Sequence, residues 1–75
     1  MDKLIFVVQW NMITAVVIES DKESALDRII GKHSRRKGYE NSLERMDAIV
    51  TRIGRAESDE EFMNAEYGIV CVSEG

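Results

Sequence analysis

The stretch GKHSRRKG, Gly31 to Gly38, puts four cationic side chains and the chain's single histidine into six residues between two glycines. Cations at that density suit anionic oxygens, because an arginine fork grips a phosphate or a carboxylate with two parallel N–H groups. The surrounding chain is acidic, with a net charge of −4. Eight of its ten Lys and Arg residues fall between Arg28 and Arg55, opposed there by Glu40, Glu44 and Asp47. That span carries +5 and the remainder −9, so charge is polarised along the sequence. Lys32, Arg35, Arg36, Lys37, Arg45 and Arg52 are the candidate contacts for an anionic partner, with Tyr39 beside them as a stacking ring. A nucleic acid or an acidic protein surface satisfies such a set equally. The pI near 4.9 opposes nonspecific nucleic-acid binding.

Other chemistries find less support. His33 has basic neighbours and no local carboxylate to orient it. Cys71 is the only cysteine, so no internal disulfide forms, and no zinc-ligand spacing exists. No glycine-rich phosphate loop follows a strand. Ser20, Ser42 and Ser58 are explained by helix starts. The expectation is a non-enzymatic protein without cofactor or metal. The acidic run Glu57 to Glu61 offers the converse idea, a carboxylate surface imitating a phosphate backbone and inhibiting a nucleic-acid-handling protein. Acidic residues at a helix start account for it as well.

The elements that must position these groups follow from periodicity. Leu4 to Ile18 is apolar and rich in β-branched residues, which suit strands. It predicts strands over about Lys3–Gln9 and Ile13–Glu19, with Trp10, Asn11 and Met12 as the bend. At fifteen residues it is too short to span a bilayer. Ser20 and Glu23 have capping-box spacing, and Ala25, Leu26, Ile29 and Ile30 share a helical face, so a helix is expected over about Asp21–Ile30, stopping at Gly31. Leu43, Met46, Ile49, Val50 and Ile53 also recur at helical spacing. They predict a second helix over about Ser42–Ile53, with Arg45 and Arg52 on its exposed back. A short helical turn over about Asp59–Asn64 and a strand over Glu66–Ser73 complete the chain.

The expected architecture is a single α+β domain, residues 1–75. It has a three-stranded, mainly antiparallel sheet with two helices on one face, in the order β-β-α-α-(short α)-β. Neither strand face is polar, and two helices cover only one of them. The other face is expected to meet a partner through Ile5, Val7, Ile13, Val17, Val70 and Val72, a homodimer being the commonest form. A chain of this length is marginally stable alone, which also favours association. The composition suggests a cytoplasmic protein that does not enter a membrane.

The join VVIESDKESALDRII, Val16 to Ile30, resembles a pattern in small accessory proteins of phages and mobile elements, the DpnD/PcfM-like proteins among them. There a strand ends in an acidic and a small residue before Glu and Ala open a helix. The resemblance implies a small non-enzymatic accessory role, such as docking on a host or defence protein, and it transfers no functional residues.

Overall fold

The computed structural model describes residues 2–33 and 47–74. Their elements are β1 (Leu4–Trp10), β2 (Ile13–Glu19), α1 (Lys22–His33), β3 (Ile49–Arg55), a 3-10 turn (Ala56–Ser58) and β4 (Gly68–Glu74). The strands form one antiparallel sheet in the order β3-β1-β2-β4. A four-stranded sheet with one α-helix among the described residues replaces the expected three strands and two helices.

The difference lies in Ile49–Ile53, which was expected to be the end of a helix and is part of the strand β3. Ile49, Val50, Thr51 and Ile53 are β-branched and prefer the pleat. The free edge of β1 supplies the ladder they pair with. Residues 42–46 of the expected helix lie outside the described residues. The turn of helix expected over Asp59–Asn64 is instead a run of turns following the 3-10 turn. The last strand begins two residues later than expected, at Gly68.

The hairpin between β1 and β2 has a two-residue loop, because Trp10 pairs with Ile13. Asn11 and Met12 both take positive φ, 49° and 67°. That is the left-handed pair a two-residue hairpin needs, since its twist matches the strands it joins. This loop sets the register, with Ile5 opposite Ile18 and Val7 opposite Val16.

The α1 helix starts one residue later than expected and is capped by Asp21. The Ser24 N–H donates to Asp21 Oδ1 at 2.7 Å. This bond, with further ones from the helix start, holds the Asp21 carboxyl below the usual carboxylate range. Gly31 does not stop the helix, which continues to His33. Its apolar face, Ala25, Leu26, Ile29 and Ile30, packs on Leu4, Phe6, Val8, Trp10, Ile13, Ala15 and Val17. This is the main core. Beside it the buried Glu19 accepts from Arg28 Nε, joining the end of β2 to the helix. The Arg28 guanidinium also lies against Gly68, whose φ of 129° only glycine adopts without strain.

Among the described residues, the second face of the sheet is covered at one end only. Ile5, Ile18 and Ala56 form a small buried cluster there, with Val16, Phe62, Ala65 and Tyr67 packed around it. Residues 56–67 therefore cross the face over the Ile5–Ile18 end. Lys3 ties them down. Its Nζ donates to the Ala65 carbonyl at 3.0 Å and lies 5.5 Å from the centre of the Tyr67 ring. Its backbone carbonyl accepts from Ala56 at 2.8 Å, and its N–H donates to Glu57 Oε1 at 3.3 Å.

Candidate functional site

Residues directly opposite one another in an antiparallel pair share a face. The register therefore assigns every regularly paired strand residue to the helix side or to the second face. Second-face positions fall in three rows across β3, β1, β2 and β4. The first, Gly54, Ile5, Ile18 and Gly68, lies at the end crossed by residues 56–67. The next is Thr51, Val7, Val16 and Cys71, and the last is Ile49, Gln9, Thr14 and Ser73. In these outer two rows Val7 and Val16 are half-buried and the other six are exposed.

Not one of these twelve residues is charged. The strands contain four charged residues, Glu19, Arg52, Arg55 and Glu74. Their partners are Leu4 for Glu19 and Arg55, Phe6 for Arg52 and Ile13 for Glu74, all on the helix side. Ordinary patterning is inverted, because charge normally marks the face left to water. Here the charged strand residues rim the covered face and none is paired on the half-open one.

Two bulges border this surface. The β1–β3 register skips Ile53, and the β2–β4 register skips Val70. Both are exposed, as are Ile49, Met12 and Met63. Bulges at sheet edges blunt further strand pairing, so the free edges of β3 and β4 are irregular templates. At the hairpin end, residues 9–14 with Asp47 and Ile49 line an open hollow of about 320 Å³. It sits at the small end of the range for ligand pockets and is not enclosed.

The acids of residues 56–67 are Glu57, Asp59, Glu60, Glu61 and Glu66. The Glu57 carboxyl lies below the usual range, held chiefly by its own backbone N–H, then by that of Lys3, with Arg55 and Lys3 adding positive charge nearby. The Glu61 N–H donates to Asp59 Oδ1 at 2.9 Å, so Asp59 organises the local turn.

The structure divides the residues singled out by sequence. Of the candidate cations, Lys32 is exposed on α1 and Arg52 is exposed on the helix side of β3. Arg35, Arg36, Lys37, Tyr39 and Arg45 lie outside the described residues. Arg55 stands 3.5 Å from Asp2, and Arg28 is engaged by Glu19. Of the candidate interface set, Ile5 and Val7 are on the second face, Ile5 beneath residues 56–67. Ile13, Val17 and Val72 are on the helix side, and Val70 is at the bulge. The set does not share one face. A three-residue bend would have placed Gln9 opposite Ile13, whereas the two-residue loop places Trp10 there and turns every β2 side chain to the other face relative to β1.

Sequence reasoning passed over Thr51, Thr14, Ser73 and Cys71. Their signal was the absence of charge at alternate positions of all four strands, which becomes visible only once Ile49–Arg55 is placed as a strand. Among the described residues no group of three His, Cys, Asp or Glu side chains is placed to hold a metal ion, and no helix is long and apolar enough to cross a membrane. No family model, curated protein or solved structure matches the chain.

Proposed function

We propose that this chain is a non-enzymatic interaction protein that docks on another protein through the open half of its second sheet face. One observation carries the reading: all four charged strand residues point to the helix side, leaving eight uncharged positions on the open half. A surface meant only for water gains solubility from charge, and a surface meant for a partner loses affinity from it, because each buried charge must be paired. A small accessory or inhibitory role, as the strand-to-helix join suggests, belongs to this reading.

The test is affinity capture from the source cell with the parent chain and with Thr51→Lys/Cys71→Lys as baits. These two exposed positions flank Val7 and Val16, and lysine at a sheet edge is well tolerated. Proteins retained by the parent and lost by the variant support the docking reading. Identical sets of retained proteins would contradict it. Retention of nucleic acid by both baits, falling steeply with salt, would instead assign the working surface to the cations around Arg35, Arg36 and Lys37.

A further inference from the structure

We infer that a second copy of this chain occupies the open half, about a two-fold axis that lies between the two sheets, parallel to their planes and perpendicular to their strands. The inference rests on the docking reading above and names the partner. Three observations lead to it.

The first is the missing charge. A two-fold contact lays each patch on its own counterpart, so a charged row would meet a row of the same sign. The row Thr51, Val7, Val16 and Cys71, which the axis sets on its own copy, can be stacked on itself without that penalty.

The second is shape. Residues 56–67 stand on the face at the Ile5–Ile18 end, and none of the described residues covers the hairpin end of the same face, where Gln9, Thr14 and Ile49 are exposed. Rotation about this axis exchanges the two ends. Each copy's raised segment then descends onto the other's hairpin end, and the two faces lap like notched beams. Rotation about an axis parallel to the strands keeps like ends together. It would drive raised segment into raised segment and set Glu57, Asp59, Glu60, Glu61 and Glu66 against their own copies.

The third is what the raised segment and the hairpin end expose. Met63 on the segment is 54% exposed, and Met12 and Ile49 at the hairpin end are 77% and 60% exposed. The perpendicular axis brings Met63 of one copy toward Ile49 and Met12 of the other. Methionine's unbranched, pliable side chain fits the irregular surface between them.

Strand spacing sets the strength. Four strands at about 4.8 Å and about four residues at roughly 3.4 Å give a patch near 260 Å² in plan. With the flank of the raised segment, each copy contributes on the order of 500 Å², short of the ~800 Å² of a standard interface, so the dimer belongs among weak, transient ones.

Analytical ultracentrifugation from about 1 to 500 μM tests this directly on the full chain. The weight-average mass is expected to climb from the 8.6 kDa of one chain toward twice that value. Thr51→Lys/Cys71→Lys, checked for an unchanged circular dichroism spectrum, should raise the dissociation constant at least tenfold. Geometry is tested by mixing a Met63→Cys protein with an Ile49→Cys protein, both carrying Cys71→Ser. They should form a disulfide-linked heterodimer on mild oxidation, whereas Met63→Cys mixed with Lys22→Cys, on the exposed surface of α1, should not.

A mass fixed at one chain throughout overturns the second-copy inference. So does a dimer indifferent to both substitutions with no Met63–Ile49 link, which would place the contact at a strand edge. The docking reading is judged separately. A monomeric parent that still loses a captured protein in the lysine variant keeps that reading and discards the dimer.

Discussion

On one side of this sheet, Phe6, Val8, Ala15 and Val17 meet Ala25, Leu26, Ile29 and Ile30 and are almost wholly removed from water. On the other, Ile5 and Ile18 are sealed by an irregular segment held through Lys3, while Val7 and Val16 one row away stay half-buried. Among the described residues the first face is closed by a single helix, whose 3.6-residue period matches the apolar stripe it covers. The second is closed by chain that has no period of its own and covers one of its three rows. The first face supplies the burial that holds so small a domain together. The second gives up part of that burial and keeps a surface without charge.

The comparison breaks most visibly in the core. Phe6 and Val7 are neighbours in sequence on opposite faces, Phe6 at 1% exposure. Phe6→Ala is expected to cost about 3–5 kcal/mol, enough to unfold a domain this size, whereas Val7→Ala should cost under about 1 kcal/mol. Urea titration of the two variants compares the faces, and equal losses would mean that the second face is as tightly packed as the first.

The covering segment should give an intermediate effect. Phe62→Ala removes a half-buried ring from the small cluster over Ile5 and Ile18. A loss of about 1–2 kcal/mol is expected, less than full burial of such a side chain contributes. Hydrogen exchange should quicken across residues 56–67 and stay slow in α1. Equal quickening in both would show that the two faces unfold as one unit.

The helix cap should be worth about 1 kcal/mol, measured with Asp21→Ala. It also adds a pH dependence. Asp21 and Glu57 both have folded-state pKa values below the usual carboxylate range. A depressed folded-state value stabilises above the unfolded pKa, and the stabilisation is lost as pH falls through the folded one. Stability should therefore decline on the acid side of the carboxylate range. Asp21→Asn, which keeps a capping oxygen and removes the titration, should flatten that decline in acid denaturation curves.

Much of the helix-covered face was legible in the sequence. The β-branched run from Ile5 to Ile18 marked two strands, and the spacing of Ala25, Leu26, Ile29 and Ile30 marked α1 and its buried side. Two features misled. Leu43, Met46, Ile49, Val50 and Ile53 keep a helical period, but Ile49 to Arg55 is decided by a ladder with β1, more than forty residues earlier, which no local pattern records. The second was the hairpin loop. Asn11 pointed to a tight turn, but one residue more or fewer in that turn exchanges the faces of β2. Without β3 and without the register, the alignment of Thr51, Val7, Val16 and Cys71 in one uncharged row had no visible form.

The smallest expected effect on stability belongs to the open half, and it carries the central claim, that this half is kept for association rather than for the fold. Thr51→Lys/Cys71→Lys changes two exposed side chains there and should shift stability by no more than about 0.5 kcal/mol. The most direct measurement is sedimentation of this variant beside the parent at matched concentrations. The account predicts that the equally folded variant associates at least tenfold more weakly than the parent, and a variant that associates as strongly as the parent would contradict it.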